Sequence, residues 1–140
     1  MKTCRVCKIE KQYSEFHKAK GGVGGVAATC KDCRNEKNAQ WTRANRDVVN
    51  AAAARRRLEA LKRYSSTAEP SCACCGESIL AFLTFEHING GGSAHRRETG
   101  GGGFVSWLRR NDYPEGFEVL CMNCNLGRRV SGGTCPHERS

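Results

Sequence analysis

A small α+β fold stapled by zinc is the class this sequence predicts, and three observations predict it. Ten cysteines fall in a chain of 140 residues, and eight of them form the CxxC pairs Cys4/Cys7, Cys30/Cys33, Cys72/Cys75 and Cys121/Cys124. Apolar runs long enough for strands are short and few, so a metal takes over part of the work of a hydrophobic core. A single stretch, residues 34 to about 64, reads as a long helix and separates the two pairs of knuckles.

Residues 1–33 form the first metal module. Cys4/Cys7 and Cys30/Cys33 have the spacing that holds one tetrahedral zinc from two tight knuckles. Tyr13 and Phe16 lie between them, ahead of the turn Gly21-Gly22-Val23-Gly24-Gly25. Two aromatic residues and one zinc make a minimal core. His17 is a rival ligand by position, but four cysteines already complete the shell, so it reads as a surface or packing residue.

In the helical stretch, Trp41, Ala44, Val48, Ala51, Leu58 and Leu61 recur three or four residues apart, and Ala51 to Ala54 favours helix strongly. Residues 34–63 hold nine Arg or Lys against three acids, and the whole chain has a formal net charge of +9. That excess points to a polyanionic partner, most simply a phosphate backbone. The apolar stripe through Trp41, Val48 and Leu58 also offers a homodimer contact along the 34–64 helix. The polar segment Ser65 to Ser71, containing Pro70, closes a region of helix and linker expected to span 34–71.

The third region, 72–140, opens with Cys-Ala-Cys-Cys-Gly. Cys72, Cys75, Cys121 and Cys124 form the second four-thiolate set. Ile79 to Phe85 reads as a strand, which puts Glu86 and His87 at its end. Asn89-Gly90-Gly91-Gly92 and Gly100 to Gly103 bracket a basic stretch that reads as a flexible loop containing His95, Arg96 and Arg97. Phe104, Trp107 and Leu108 mark a short amphipathic helix, Phe117 to Leu120 a second strand, and Asn125 to Val130 at most two helical turns.

Phosphodiester hydrolysis needs a base for water and a cation for the developing charge. His87 suits the base near neutral pH. Glu86 and Asn125 offer oxygen ligands suited to magnesium or another divalent ion, with room left for water and phosphate oxygens. Adjacent strand residues face opposite ways, so Glu86 and His87 share a site only where the strand bends or ends. Asn89, His95 and Arg96 are candidates for gripping phosphate or supporting the base. Cys74 competes with Cys72 and Cys75 as a ligand, and Cys135-Pro136-His137 either binds a further metal, packs as a clasp or frays.

Cys-x-x-Cys-Gly, an acid–His pair ending a strand, then Leu-Cys-x-x-Cys-Asn resemble the His-Me finger (HNH, ββα-metal) nucleases, in particular the phage recombination endonuclease VII branch. The resemblance covers about residues 72–126. The N-terminal module looks like zinc fingers fused to such nucleases. The resemblance implies structural zinc at Cys72, Cys75, Cys121 and Cys124, a general base at His87, and catalytic magnesium at Glu86 and Asn125. It also implies DNA cleavage to a 5′-phosphate and a 3′-hydroxyl by a phage-like or mobile-element-like enzyme. The acid here is Glu86 where the family more often has Asp, and no asparagine stands in the second strand. The insertion between the strands is long, and the helix carrying Asn125 is short.

The rival expectation is a non-catalytic zinc-stabilised nucleic-acid binder, or an adaptor that recruits a partner. No apolar stretch approaches the roughly 20 residues of a membrane span, and the N-terminus lacks the apolar core of a secretory signal. The paired thiols fit a reducing compartment, and a cytoplasmic location is expected.

Overall fold

The computed structural model describes residues 1–99 and 103–139, which gather into two compact units, 1–50 and 51–140. In the first unit, strands β1 (Lys2–Thr3) and β2 (Glu10–Lys11) pair antiparallel around the Cys4 knuckle. Lys8 turns that knuckle with a φ of +60°. β3 (Phe16–Lys18) pairs with β4 (Val26–Cys30), and helix α1 (Lys31–Ala44) begins at once, so Cys30 ends a strand and Cys33 sits in the first helical turn. The core is Cys4, Phe16, Val26 and Cys30. Tyr13, expected in that core, is largely exposed; its ring covers Gly24 instead, where an added Cβ would stand 2.3 Å from the ring carbon Cε1. His17 is exposed, outside the cysteine group.

The helix expected over 34–64 is two helices, α1 and α2 (Arg46–Tyr64). The break is at Asn45, whose backbone leaves helical geometry (φ −117°, ψ 33°) while its side-chain amide donates to the Trp41 carbonyl at 2.8 Å. A short amide side chain that captures a helix carbonyl ends a helix that periodicity alone would continue. α1 buries no residue, and Trp41 and Val48 remain exposed. Among the described residues, no helix is long and apolar enough to cross a membrane.

The second half of α2 belongs to the second unit. Ala60 and Leu61 are buried there, Arg57 donates to the carbonyls of Leu80 (3.0 Å) and Leu83 (2.5 Å), and Tyr64 donates to the Pro114 carbonyl at 2.7 Å. β5 (Leu83–His87) and β6 (Phe117–Cys121) form an antiparallel pair in the register Leu83↔Cys121 to His87↔Phe117. Between them run α3 (Gly92–Glu98) and α4 (Phe104–Arg110); after them come α5 (Met122–Val130) and a 3₁₀ turn, Pro136–Arg139.

Three expectations change here. The first strand starts at Leu83 rather than Ile79, because β6 ends opposite Leu83 and the chain turns directly into α5, with Met122 N–H donating to the Phe82 carbonyl. Ile79, Leu80 and Phe82 are left exposed. The stretch expected as a loop is helix α3 from Gly92 to Glu98; of the glycine run 100–103, residues 100–102 lie outside the described residues. The last helix starts at Met122, earlier than Asn125, because Cys121 caps it: its Sγ accepts the Cys124 N–H at 3.4 Å.

Leu61, Leu83, Val119 and Leu120 meet Cys72, Cys121, Cys124 and Cys135 in one core, with Tyr64 and Phe85 against it. Leu83 is wholly buried. Leu83→Ala is therefore expected to cost about 2–5 kcal/mol, read as a lower denaturant midpoint for the zinc-loaded chain, with unchanged zinc content.

Candidate active site and metal centres

In the first unit the four sulfurs of Cys4, Cys7, Cys30 and Cys33 all lie within 4.8 Å of one another. Bonds of about 2.3 Å to a tetrahedral zinc put sulfurs about 3.8 Å apart, so the group can hold zinc. The backbone prepares it. Cys4 Sγ accepts N–H groups from Cys30 (3.3 Å) and Val6 (3.4 Å). These donors, that of Cys30 first, bring the Cys4 thiol down to about 6 against the cost of burial. Cys33 moves the other way, to about 12, because the Cys30 sulfur and burial oppose a second negative charge. Ionising all four thiols requires a cation among them.

Cys72, Cys75, Cys121 and Cys124 make a like group in the second unit, with Cys75 and Cys121 Sγ 3.7 Å apart. Burial raises the Cys72 thiol, but backbone N–H donors from Cys75, Cys121 and Cys74 outweigh it and bring it to about 7. A further group of Cys74, Cys124, Cys135 and His137 meets the same distance criterion. Cys124 belongs to both groups. Its thiol is pushed far up, first by burial and then by the sulfurs of Cys121, Cys75, Cys74 and Cys135.

The end of β5 opens on a cavity of about 930 Å³. Glu86, His87 and Asn125 all line it, together with His95, Arg96, Arg128 and Arg129. Glu86 and His87 point to opposite sheet faces, as adjacent strand residues do, and both line the cavity, as do Thr84 and Phe85 before them. Glu86 stands opposite Glu118, on the α5 side; His87 stands opposite Phe117, on the aromatic side. From α5, Asn125, Arg128 and Arg129 project along one face at spacings of three and four.

His87 lies in an aromatic box. Its ring centroid is 4.8 Å from that of Phe117 and 5.7 Å from that of Phe104. Its Nε2 is 2.7 Å from His95 Nδ1, and the His95 ring sits 4.0 Å from Trp107 at a steep angle. Nε2 of His95 is buried and makes no hydrogen bond. The other His87 nitrogen, Nδ1, faces Gly92, where an added Cβ would come within 3.1 Å. Desolvation lowers the His87 pKa first; the nearby His95 lowers it further, and Glu86 opposes both.

Of the phosphate or support candidates, Arg96 is exposed at the cavity rim, whereas His95 is committed to His87. Asn89 lies on the exposed turn after β5, outside the cavity lining. The sequence reading passed over Arg128 and Arg129. Their signal was available: they stand three and four residues after Asn125, the ligand candidate. Arg128 is bonded to Glu118 and, at 3.1 Å, to Glu138. Arg129 is exposed and Glu86 half-buried, and neither is in an ion pair among the described residues.

No protein-family model matches the chain, and no curated protein or solved structure matches it.

Proposed function

We propose that the second unit is a DNA endonuclease of the His-Me finger type, dependent on a divalent cation. One observation carries the reading: Glu86, His87 and Asn125, brought together from a strand end and a helix start, line one cavity with Arg96 and Arg129. Glu86 and Asn125 supply the oxygen donors a hard cation prefers, with coordination left for water and phosphate. Magnesium held there would neutralise charge on the phosphate and the leaving oxygen.

The chain's own residues do the remainder. His87 takes a proton from the attacking water on Nδ1, the nitrogen beside Gly92. His95 fixes the tautomer by accepting the Nε2 proton of His87, and its own Nε2–H then rests against aromatic rings, which tolerate an N–H better than a bare lone pair. Arg129 and Arg96 hold the scissile phosphate and its neighbour. The cleavage leaves a 5′-phosphate and a 3′-hydroxyl.

The base works when neutral, and its lowered pKa keeps it neutral further into acid. The acid limb of single-turnover cleavage is expected below the ordinary histidine value of about 6.5. Replacing His95 with Gln removes a contribution that lowers the pKa, so the limb should move up. A wild-type limb above that value would contradict the assignment of His87.

The exposed, basic α1 favours a second reading, in which the chain only binds nucleic acid. Plasmid nicking by wild type and His87→Ala in magnesium separates the two. Loss of nicking with retained binding supports the enzyme; equal behaviour supports the binder. A partner-recruiting adaptor would bind DNA weakly, with little salt dependence.

A further inference from the structure

We propose that Cys74, Cys124, Cys135 and His137 hold a second zinc ion in the 51–140 unit, with the Cys124 thiolate bridging it to the zinc of Cys72, Cys75 and Cys121. Three thiolates and an imidazole are a donor set typical of structural zinc. Their ligand atoms all lie within 4.8 Å of one another, with His137 Nδ1 3.3 Å from Cys124 Sγ and 3.7 Å from Cys135 Sγ. Zinc bonds of about 2.3 Å to sulfur and about 2.0–2.1 Å to nitrogen give a separation of about 3.6 Å. Sharing one sulfur makes both ions four-coordinate with no missing ligand. The added dication balances the two added thiolates, so the formal charge of the cluster does not change.

The C-terminal segment is built to deliver these ligands. It crosses α5 at Gly127, where a Cβ would stand 3.1 Å from Pro136 Cδ and 3.7 Å from Cys135 Sγ. Glu138 ties it down through Arg128 at 3.1 Å and through its own N–H to the Cys135 carbonyl at 2.9 Å. Cys135 is 1% exposed and packs in the core cluster with Cys72, Cys121 and Cys124. A buried cysteine alone would pass for a small apolar side chain. Three of them converging with an imidazole nitrogen are a ligand shell. His137 is exposed, which leaves the outer ion one solvent-facing ligand and makes it the more easily chelated of the pair.

The test is zinc stoichiometry of the full chain by native mass spectrometry, backed by ¹¹³Cd NMR after cadmium substitution. The expected result is three metals per chain, one for each ligand group. The Cys135→Ser/His137→Ala double variant should lose one of them and keep the others. Two cadmium resonances should share a scalar coupling through the Cys124 sulfur. Two metals per wild-type chain would overturn the site; three metals without ¹¹³Cd–¹¹³Cd coupling would overturn the bridge. Both readings come from wild type, so they hold even if the double variant fails to fold.

Discussion

His87→Ala is expected to lower magnesium-dependent DNA cleavage by about 10²–10⁴-fold, the range that one positioned general base contributes. DNA affinity should stay within a few-fold of wild type. On the proposed reading the split follows from where the charges are: binding would draw on α1, α2, Arg96 and Arg129, none of which needs the imidazole, whereas proton removal from water would rest on His87. His95 is the nearest substitute, but its Nδ1 is taken up by His87 and its Nε2 is buried. Single-turnover rates and filter binding measured on the same preparations check both halves. A variant that cuts at the wild-type rate removes His87 from the chemistry.

The second large effect concerns zinc. Cys121→Ser is expected to abolish cooperative folding of the 51–140 unit rather than merely weaken it. Cys121 ends β6, and its sulfur both caps α5 and belongs to the four-cysteine group that could hold zinc. Among the described residues of this unit, the fully buried leucine and valine side chains are Leu61, Leu83, Leu108, Val119 and Leu120. Burying each contributes about 1.5–3 kcal/mol. Structural zinc contributes about 10–16 kcal/mol in small zinc modules at neutral pH, as much as several such side chains together. Near-UV circular dichroism and chelator titration provide the readout. A variant with native dichroism and a sharp unfolding transition would show that the apolar core suffices.

What the sequence made legible was the part that ligand chemistry dictates. CxxC spacing marks the two four-sulfur groups without help from distant packing; Glu86, His87 and Asn125, which the strand end and the adjoining knuckle single out in the sequence, all line one cavity. The misreadings arose where packing or a single side chain decides. α3 looked like a loop because glycines flank it; Ala94, Arg96, Arg97 and Glu98 favour helix, and His95 anchors it against Trp107 and His87. Asn45 split the long helix through one side-chain hydrogen bond that periodicity cannot register. Ile79 to Phe82 has the composition of a strand, but among the described residues the ladder with β6 begins only at Leu83. The joining of Cys135 and His137 to Cys74 and Cys124 depends on the chain end folding back over Gly127, which local spacing does not announce.

The most direct measurement is ligation of the cleaved product. Zinc-loaded full chain is incubated with supercoiled plasmid in magnesium, and the nicked DNA is treated with DNA ligase without prior end repair. Magnesium-dependent nicks that ligase reseals, and that a Glu86→Gln/Asn125→Ala variant of unchanged zinc content does not produce, are the predicted result. Plasmid left intact by the wild type in magnesium and in manganese, while still bound by it, would contradict the hydrolytic assignment.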